Sequence, residues 1–166
     1  MEPEFYSRHT DKEKIYQEFL PQLQSLIEGV PHRVSILANT ASALRQAFGH
    51  FWVGFYLTDG SDTLHVGPFQ GDVACYQIRK GRGVCGTAWQ EARTVLVPDV
   101  DLFPGHIACS GQSRSEIVVP LFSPDHSQIY GVLDIDSDRL AAFDETDRIH
   151  LEKLAEILGQ ALSKAR

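Results

Sequence analysis

Apolar residues in the first third of the chain recur every three or four positions. Ile15, Phe19, Leu23 and Leu26 share one side of residues 11–28, which is helical spacing. Pro21 interrupts that stretch and predicts either a kink or two short helices. Gly29 ends it, and Pro31 suits the first turn of a second helix. Val34, Leu37, Ala41, Leu44 and Phe48 then step along one face until Gly49 closes the helix. After residue 50 the period shortens. FWVGFYL (51–57) reads as an aromatic strand, and Asp59-Gly60 as a hairpin turn. DTLHVGPF (62–69) reads as a second strand with an irregular end at Gly67-Pro68, and VACYQIR (73–79) as a third with Cys75 in its middle. A short helix is expected over about 84–92 and a short strand over 94–97. EIVVPLF (116–122) and IYGVLDID (129–136) form a strand pair joined by SPDHSQ. A last helix is expected from about 145 to 164. Ile149, Leu151, Leu154, Leu158 and Leu162 supply its apolar side, and Asp144 or Thr146 its cap.

This order of elements predicts an α+β fold: a central, mostly antiparallel sheet of about six strands flanked by helices. With no internal repeat or low-complexity linker, a single domain over residues 1–166 is expected. Its parts are N-terminal helices (about 11–48), a sheet with a long loop (about 50–136) and the C-terminal helix. The loop, VPDVDLFPGHIACSGQSRS (97–115), has no period of its own and contains Pro98, Pro104, Gly105 and Gly111. Structureless loops longer than about 12–15 residues are uncommon in compact domains and are usually functional or disordered. Ile107, Ala108 and Cys109 argue against disorder, so the loop reads as an active-site lid with Cys109 near its centre.

Charge narrows the partners. The formal net charge is −7 and the basic residues never cluster, which argues against nucleic acid. No apolar run approaches the roughly 18 residues of a membrane span, and the charged N-terminus carries no secretory signal. A reducing cytoplasm is the expected compartment. Three cysteines without a C-x-x-C make a poor disulfide scaffold. The seven histidines show no ligand spacing, so no metal or cofactor is expected.

Gly81-Arg82-Gly83-Val84-Cys85-Gly86 matches the G-x-G-x-x-G dinucleotide fingerprint. The preceding strand carries Gln77 and Arg79, unlike a strand buried on both faces, and no further strand–helix–strand units follow. A tight turn before a helix is the better reading. Candidate chemistry lies elsewhere. Cys109 sits in a polar, glycine-flanked loop, where a thiol is exposed to reaction; Cys85 fits a core role as well as a functional one, and Cys75 is undecided by position. Asp134 and Asp136 share one face of their strand, Leu133 and Ile135 the other, and Glu116 opens the adjacent strand. Either solvent covers that acidic face or it lines a pocket in which crowding and burial raise a carboxyl pKa. Trp52 and Tyr56 share a face of the first strand, as core or as the aromatic wall of a binding site.

The runs WVGFYL, LHVGPFQGDVAC, GRGVCGTA, GHIACSGQSRSEIVVPL and GVLDIDS resemble the free methionine-R-sulfoxide reductase family, a catalytic branch of the GAF domain fold. The resemblance runs from about residue 38 to the C-terminal helix. It implies a thioredoxin-dependent oxidoreductase acting on free methionine-R-sulfoxide, with no bound cofactor. By this resemblance Cys109 is the nucleophile that becomes a sulfenic acid, Cys75 the resolving thiol that forms a disulfide with it, and Cys85 a further thiol that relays the disulfide. It also implies that Glu116, Asp134 and Asp136 line the substrate pocket, that Trp52 and Tyr56 pack against the methyl group, and that the chain forms a homodimer. A non-catalytic GAF module that binds a small molecule or senses oxidant is the alternative.

Overall fold

The computed structural model describes residues 4–166; residues 1–3 lie outside it. Its elements, in chain order, are α1 (Lys12–Ile27), α2 (Arg33–Phe48), β1 (Trp52–Thr58), β2 (Thr63–Gln70), β3 (Gln77–Arg79), α3 (Gly83–Glu91), β4 (Val95–Val97), β5 (Ser115–Phe122), β6 (Ile129–Ser137) and α4 (Glu145–Ser163). One six-stranded sheet runs in the order β3-β2-β1-β6-β5-β4, and every neighbouring pair is antiparallel. This is the α+β arrangement that the pattern of periods predicts.

Strand alternation divides the molecule into two layers. Val53, Phe55, Ile117, Val119, Leu121, Leu133 and Ile135 point to one face, where they join buried residues of α1, α2 and α4 in the larger core. Trp52, Tyr56, Val118 and Val132 point to the other, where they pack with α3 and its flanking segments in a smaller cluster. Truncating a fully buried leucine of the larger core costs about 2–5 kcal/mol. That core anchors the sheet, so the opposite face is free to carry polar groups.

α1 is one continuous helix, not two. Pro21 lies on its exposed side, while Phe19, Leu23 and Ile27 are buried and hold both halves in register by tertiary packing. α1 is tied to α4 through Asp147, which is fully buried. Tyr16 donates its hydroxyl to Asp147 Oδ1 at 2.7 Å, and the Lys12 ammonium donates to Oδ2. Asp144 caps α4 in a capping box with Asp147. α4 approaches β5 closely at Gly159, where an added Cβ would collide with the Phe122 carbonyl oxygen. Two residues expected on apolar stripes stand outside them: Val34 and Ile149 are 68% and 47% exposed. The stripes are rotated onto Ile36 and Thr40 in α2 and onto Asp147 and His150 in α4. β2 continues past Gly67-Pro68 to Gln70, because β3 pairs only with Thr63–His65 and leaves the outer edge at Pro68 without a strand partner. Among the described residues, no helix is long and apolar enough to cross a membrane.

The His50 ring is half-buried between Phe48 and Phe143, with ring centroids 5.5 and 5.1 Å away. Burial, with lesser repulsion from Lys12 and Arg139, lowers its pKa from 6.5 to about 4. The folded state therefore binds fewer protons than the unfolded chain between those values, and stability falls as pH drops through them. The full shift corresponds to roughly 3 kcal/mol, and partial exposure reduces it to about 2. Denaturant titrations of the wild type and His50→Phe from pH 7 to 4 should show the variant losing about 2 kcal/mol less; parallel pH curves would exclude this assignment.

Candidate active site

Strand register builds the site. On the face opposite the larger core, Trp52 of β1 pairs with Asp136 of β6, which pairs in turn with Glu116 of β5. In the next row on the same face, Gly54 pairs with Asp134 and Asp134 with Val118. Three carboxyls and two aromatic rings are thus fixed by backbone hydrogen bonds, with Tyr56 one row further on. The alternation left it open whether solvent covers this face. It does not: Glu116 and Asp134 are only 6% and 5% exposed.

The first turn of α3 covers the acids and places Cys85 on them. The glycines of the fingerprint-like run make this approach possible. Gly81 and Gly83 adopt positive φ of 78° and 61°, and an added Cβ at Gly86 would strike the Arg79 carbonyl oxygen. The strand before them, β3, has three residues and pairs antiparallel with β2. The run is therefore a tight turn that seats a helix, and the parallel strand that dinucleotide binding needs is missing from its context.

The long loop closes the opposite side. Cys109 is joined to Cys75 by a disulfide with a Cα–Cα distance of 5.4 Å, and both residues are partly exposed. Cys75 is not in the middle of a strand: β3 begins at Gln77, and residues 71–75 leave the sheet. Aromatic polar tips hold that segment instead. Tyr56 donates its hydroxyl to the Cys75 carbonyl and Trp52 its indole N–H to the Asp72 carbonyl, both at 3.0 Å. Trp52 and Tyr56 are buried, and their rings also line the pocket.

Trp52, Tyr56, Cys85, Cys109, Glu116, Asp134 and Asp136 all line one pocket, and Cys75 adjoins it through the disulfide. Sequence reasoning missed three other polar residues of the lining, His106, Ser110 and Ser113. Ser113 donates its hydroxyl to Asp136 Oδ1 at 3.3 Å, and His106 Nε2 lies 3.8 Å from Glu116 Oε2. All three belong to the aperiodic loop, where no spacing rule indicates which way a side chain turns. The electrostatics are one-sided. Burial, reinforced by neighbouring acids, raises the pKa of Glu116 and of Asp134, and likewise of Asp136. The Cys85 thiol is pushed up for the same reasons and stays neutral. No lysine or arginine lines the pocket among the described residues, and burial lowers the pKa of His106. The pocket is thus an uncompensated acidic hollow, suited to a small cationic group, with a sulfur redox couple at its mouth.

A GAF domain family model matches residues 32–162. The free methionine-R-sulfoxide reductase of Saccharomyces cerevisiae is 43% identical over 163 residues, covering 94% of this chain and 90% of the yeast protein. The chain belongs to the free methionine-R-sulfoxide reductase family of GAF domains. Within that family, an X-ray structure of the Neisseria meningitidis reductase in complex with its substrate superposes with a TM-score of 0.92. It is 53% identical, and the match covers 97% of this chain and 98% of that one. GAF domain-containing protein A of Dictyostelium discoideum is 52% identical over 147 residues, 89% of this chain and 92% of its own. The GAF domain of a Coxiella burnetii phosphoenolpyruvate-protein phosphotransferase, 15% identical with a TM-score of 0.82, shares the fold.

For this member of the reductase family, oxidation should link two specific cysteines and spare the third. Closing a separation of 34 residues contributes about 3–4 kcal/mol in the chain-entropy account. Alkylation and peptide mapping of the oxidised protein should find Cys75 joined to Cys109, with Cys85 modified only after denaturation. Oxidised protein should be about 3 kcal/mol more stable than reduced protein. A bridge through Cys85, or equal stabilities, would contradict this geometry.

Proposed function

We propose that this protein is an oxidoreductase that reduces free L-methionine-R-sulfoxide to L-methionine. The observation that carries the reading is the Cys75–Cys109 disulfide at the mouth of a pocket floored by Glu116, Asp134 and Asp136. Family membership and the substrate complex of the Neisseria meningitidis relative support it. A module that only binds ligand needs no such sulfur pair.

The chemistry runs as follows. In the reduced protein the Cys109 thiolate attacks the sulfoxide sulfur while a carboxyl of the floor protonates the oxygen. The attack joins Cys109 Sγ to the substrate sulfur; the protonated oxygen then leaves that sulfur and bonds to Cys109 Sγ as the S–S bond breaks, so methionine departs and Cys109 remains as a sulfenic acid. Cys75 thiol displaces that oxygen as water and forms the disulfide. The dithiol has then lost two electrons and the sulfoxide has gained them. Thioredoxin, in a reducing cytoplasm, restores the pair by thiol–disulfide exchange. The substrate's ammonium faces the acid set and favours its ionisation, and the methyl group lies against Trp52 and Tyr56. Burial and the neighbouring acids keep the Cys85 thiol protonated, which tempers the relay role that the resemblance implies.

Methionine release with dithiothreitol as reductant tests the scheme. Cys109→Ser should lower kcat/KM by at least about 10³-fold, the scale expected for losing a nucleophile. Pre-reduced Cys75→Ser, assayed with no added reductant, should complete one turnover and accumulate a sulfenic acid that a dimedone probe traps. Normal turnover by Cys109→Ser would refute the assignment.

A further inference from the structure

The floor of the pocket holds a donor set whose capacity to bind a metal ion the proposed reaction does not use. Cys85 Sγ, a Glu116 carboxylate oxygen and an Asp134 carboxylate oxygen all lie within 4.8 Å of one another, and all three residues are buried. They come from three different elements: the first turn of α3, the start of β5 and the middle of β6. Asp134 Oδ1 is a second, independent sign. It is a buried side-chain oxygen without a hydrogen-bond partner among the described residues, on a residue 5% exposed. Buried polar atoms are seldom left unpaired, and each exception calls for an explanation such as an ion. Asp136 lines the same pocket, and the nearest basic group on its walls is His106 of the loop, 3.8 Å from Glu116.

We propose that Cys85, Glu116 and Asp134 form a zinc site that shuts the pocket to substrate. One sulfur and two oxygens match the borderline-soft preference of Zn²⁺. Ca²⁺ and Mg²⁺ need about six oxygen ligands and take no thiolate, so the set does not suit them. Tetrahedral zinc, with bonds of about 2.0–2.3 Å, places its donors roughly 3.3–3.8 Å apart. The three donors, up to 4.8 Å apart, draw together by about 1 Å when the ion binds. The fourth position opens into the pocket, where water fills it. Binding displaces the Cys85 thiol proton to solvent, with no change of oxidation state. The ion then occupies the place assigned above to the substrate's ammonium, so zinc and free methionine-R-sulfoxide exclude each other. The Cys75–Cys109 disulfide leaves all three ligands free, so the site exists in the oxidised protein as well.

The test uses oxidised full-length protein, in which Cys75 and Cys109 cannot ligate. Co²⁺ should bind with one equivalent and show the ultraviolet charge-transfer band of a thiolate–cobalt bond, and Zn²⁺ should displace it. Cys85→Ser should abolish the band and weaken zinc binding at least tenfold. Asp134→Asn should keep the band and weaken binding at least tenfold, with circular dichroism confirming the fold of both variants. No stoichiometric binding by oxidised wild type, or binding unchanged in both variants, overturns the site. Competition rests on the proposed function and is measured separately, in Cys109→Ser, which cannot turn over. There free methionine-R-sulfoxide should raise the apparent Kd for zinc. Zinc binding that needs Cys85 and Asp134 yet ignores the sulfoxide would overturn the blocking role and leave the metal site standing.

Discussion

The constraint on which the site depends is the burial of two carboxyls and a thiol, with a third carboxyl half-buried beside them, against one face of an antiparallel sheet. Burying an isolated ionised carboxylate is costly enough that the group usually takes up a proton instead. Here Asp136 stands between Trp52 and Glu116, and Asp134 between Gly54 and Val118, because β1, β6 and β5 pair in that register. A slip of β6 by one residue would send Asp134 and Asp136 into the larger core and turn Leu133 and Ile135 onto the pocket face. The opposite face prevents that slip. Its aliphatic side chains join α1, α2 and α4 in the larger core and hold the register against the cost of the acids.

Two covers convert the acidic face into a pocket. α3 descends on one side, seated by the glycine turn at 81–86, and the loop through residues 103–114 closes the other. Each brings sulfur, but of different character. Cys85 is enclosed beside Asp134 and Glu116, and both burial and negative charge keep its proton on. Cys109 sits in the partly exposed loop and is paired with Cys75, whose segment is pinned by Tyr56 and Trp52. The same aromatic pair therefore walls the pocket and anchors the second cysteine. A neutral inner thiol and a reactive outer one are what a site needs if it is to undergo redox chemistry at its mouth and recognition at its floor.

Much of this was legible along the chain because it is local. The switch from a period near 3.6 to one of 2 located the helices and strands, and the Leu133–Asp136 alternation placed both aspartates on one face. Cys109 stood out as a thiol in a long aperiodic loop. Properties set by distant contacts were not legible. Whether the acids met solvent depended on α3. Cys75 reads as strand because its neighbours favour β structure, yet pairing with β2 ends at Tyr76, whose carbonyl accepts from the Val66 N–H. Val34 and Ile149 fitted helical stripes but face outward, since spacing gives the stripe only to within a residue or so of rotation. The grouping of Cys85, Glu116 and Asp134 has no signature in spacing at all, because each comes from a separate element.

The central claim is that the buried carboxyls recognise a positive charge on a small sulfoxide. The most direct test compares turnover, with dithiothreitol as reductant, of free L-methionine-R-sulfoxide and its N-acetyl derivative, which keeps the reacting sulfur and loses the ammonium. The account predicts that acetylation lowers kcat/KM by at least about a hundredfold, the scale of leaving a buried charged group unpaired. Equal turnover of the two substrates would contradict it.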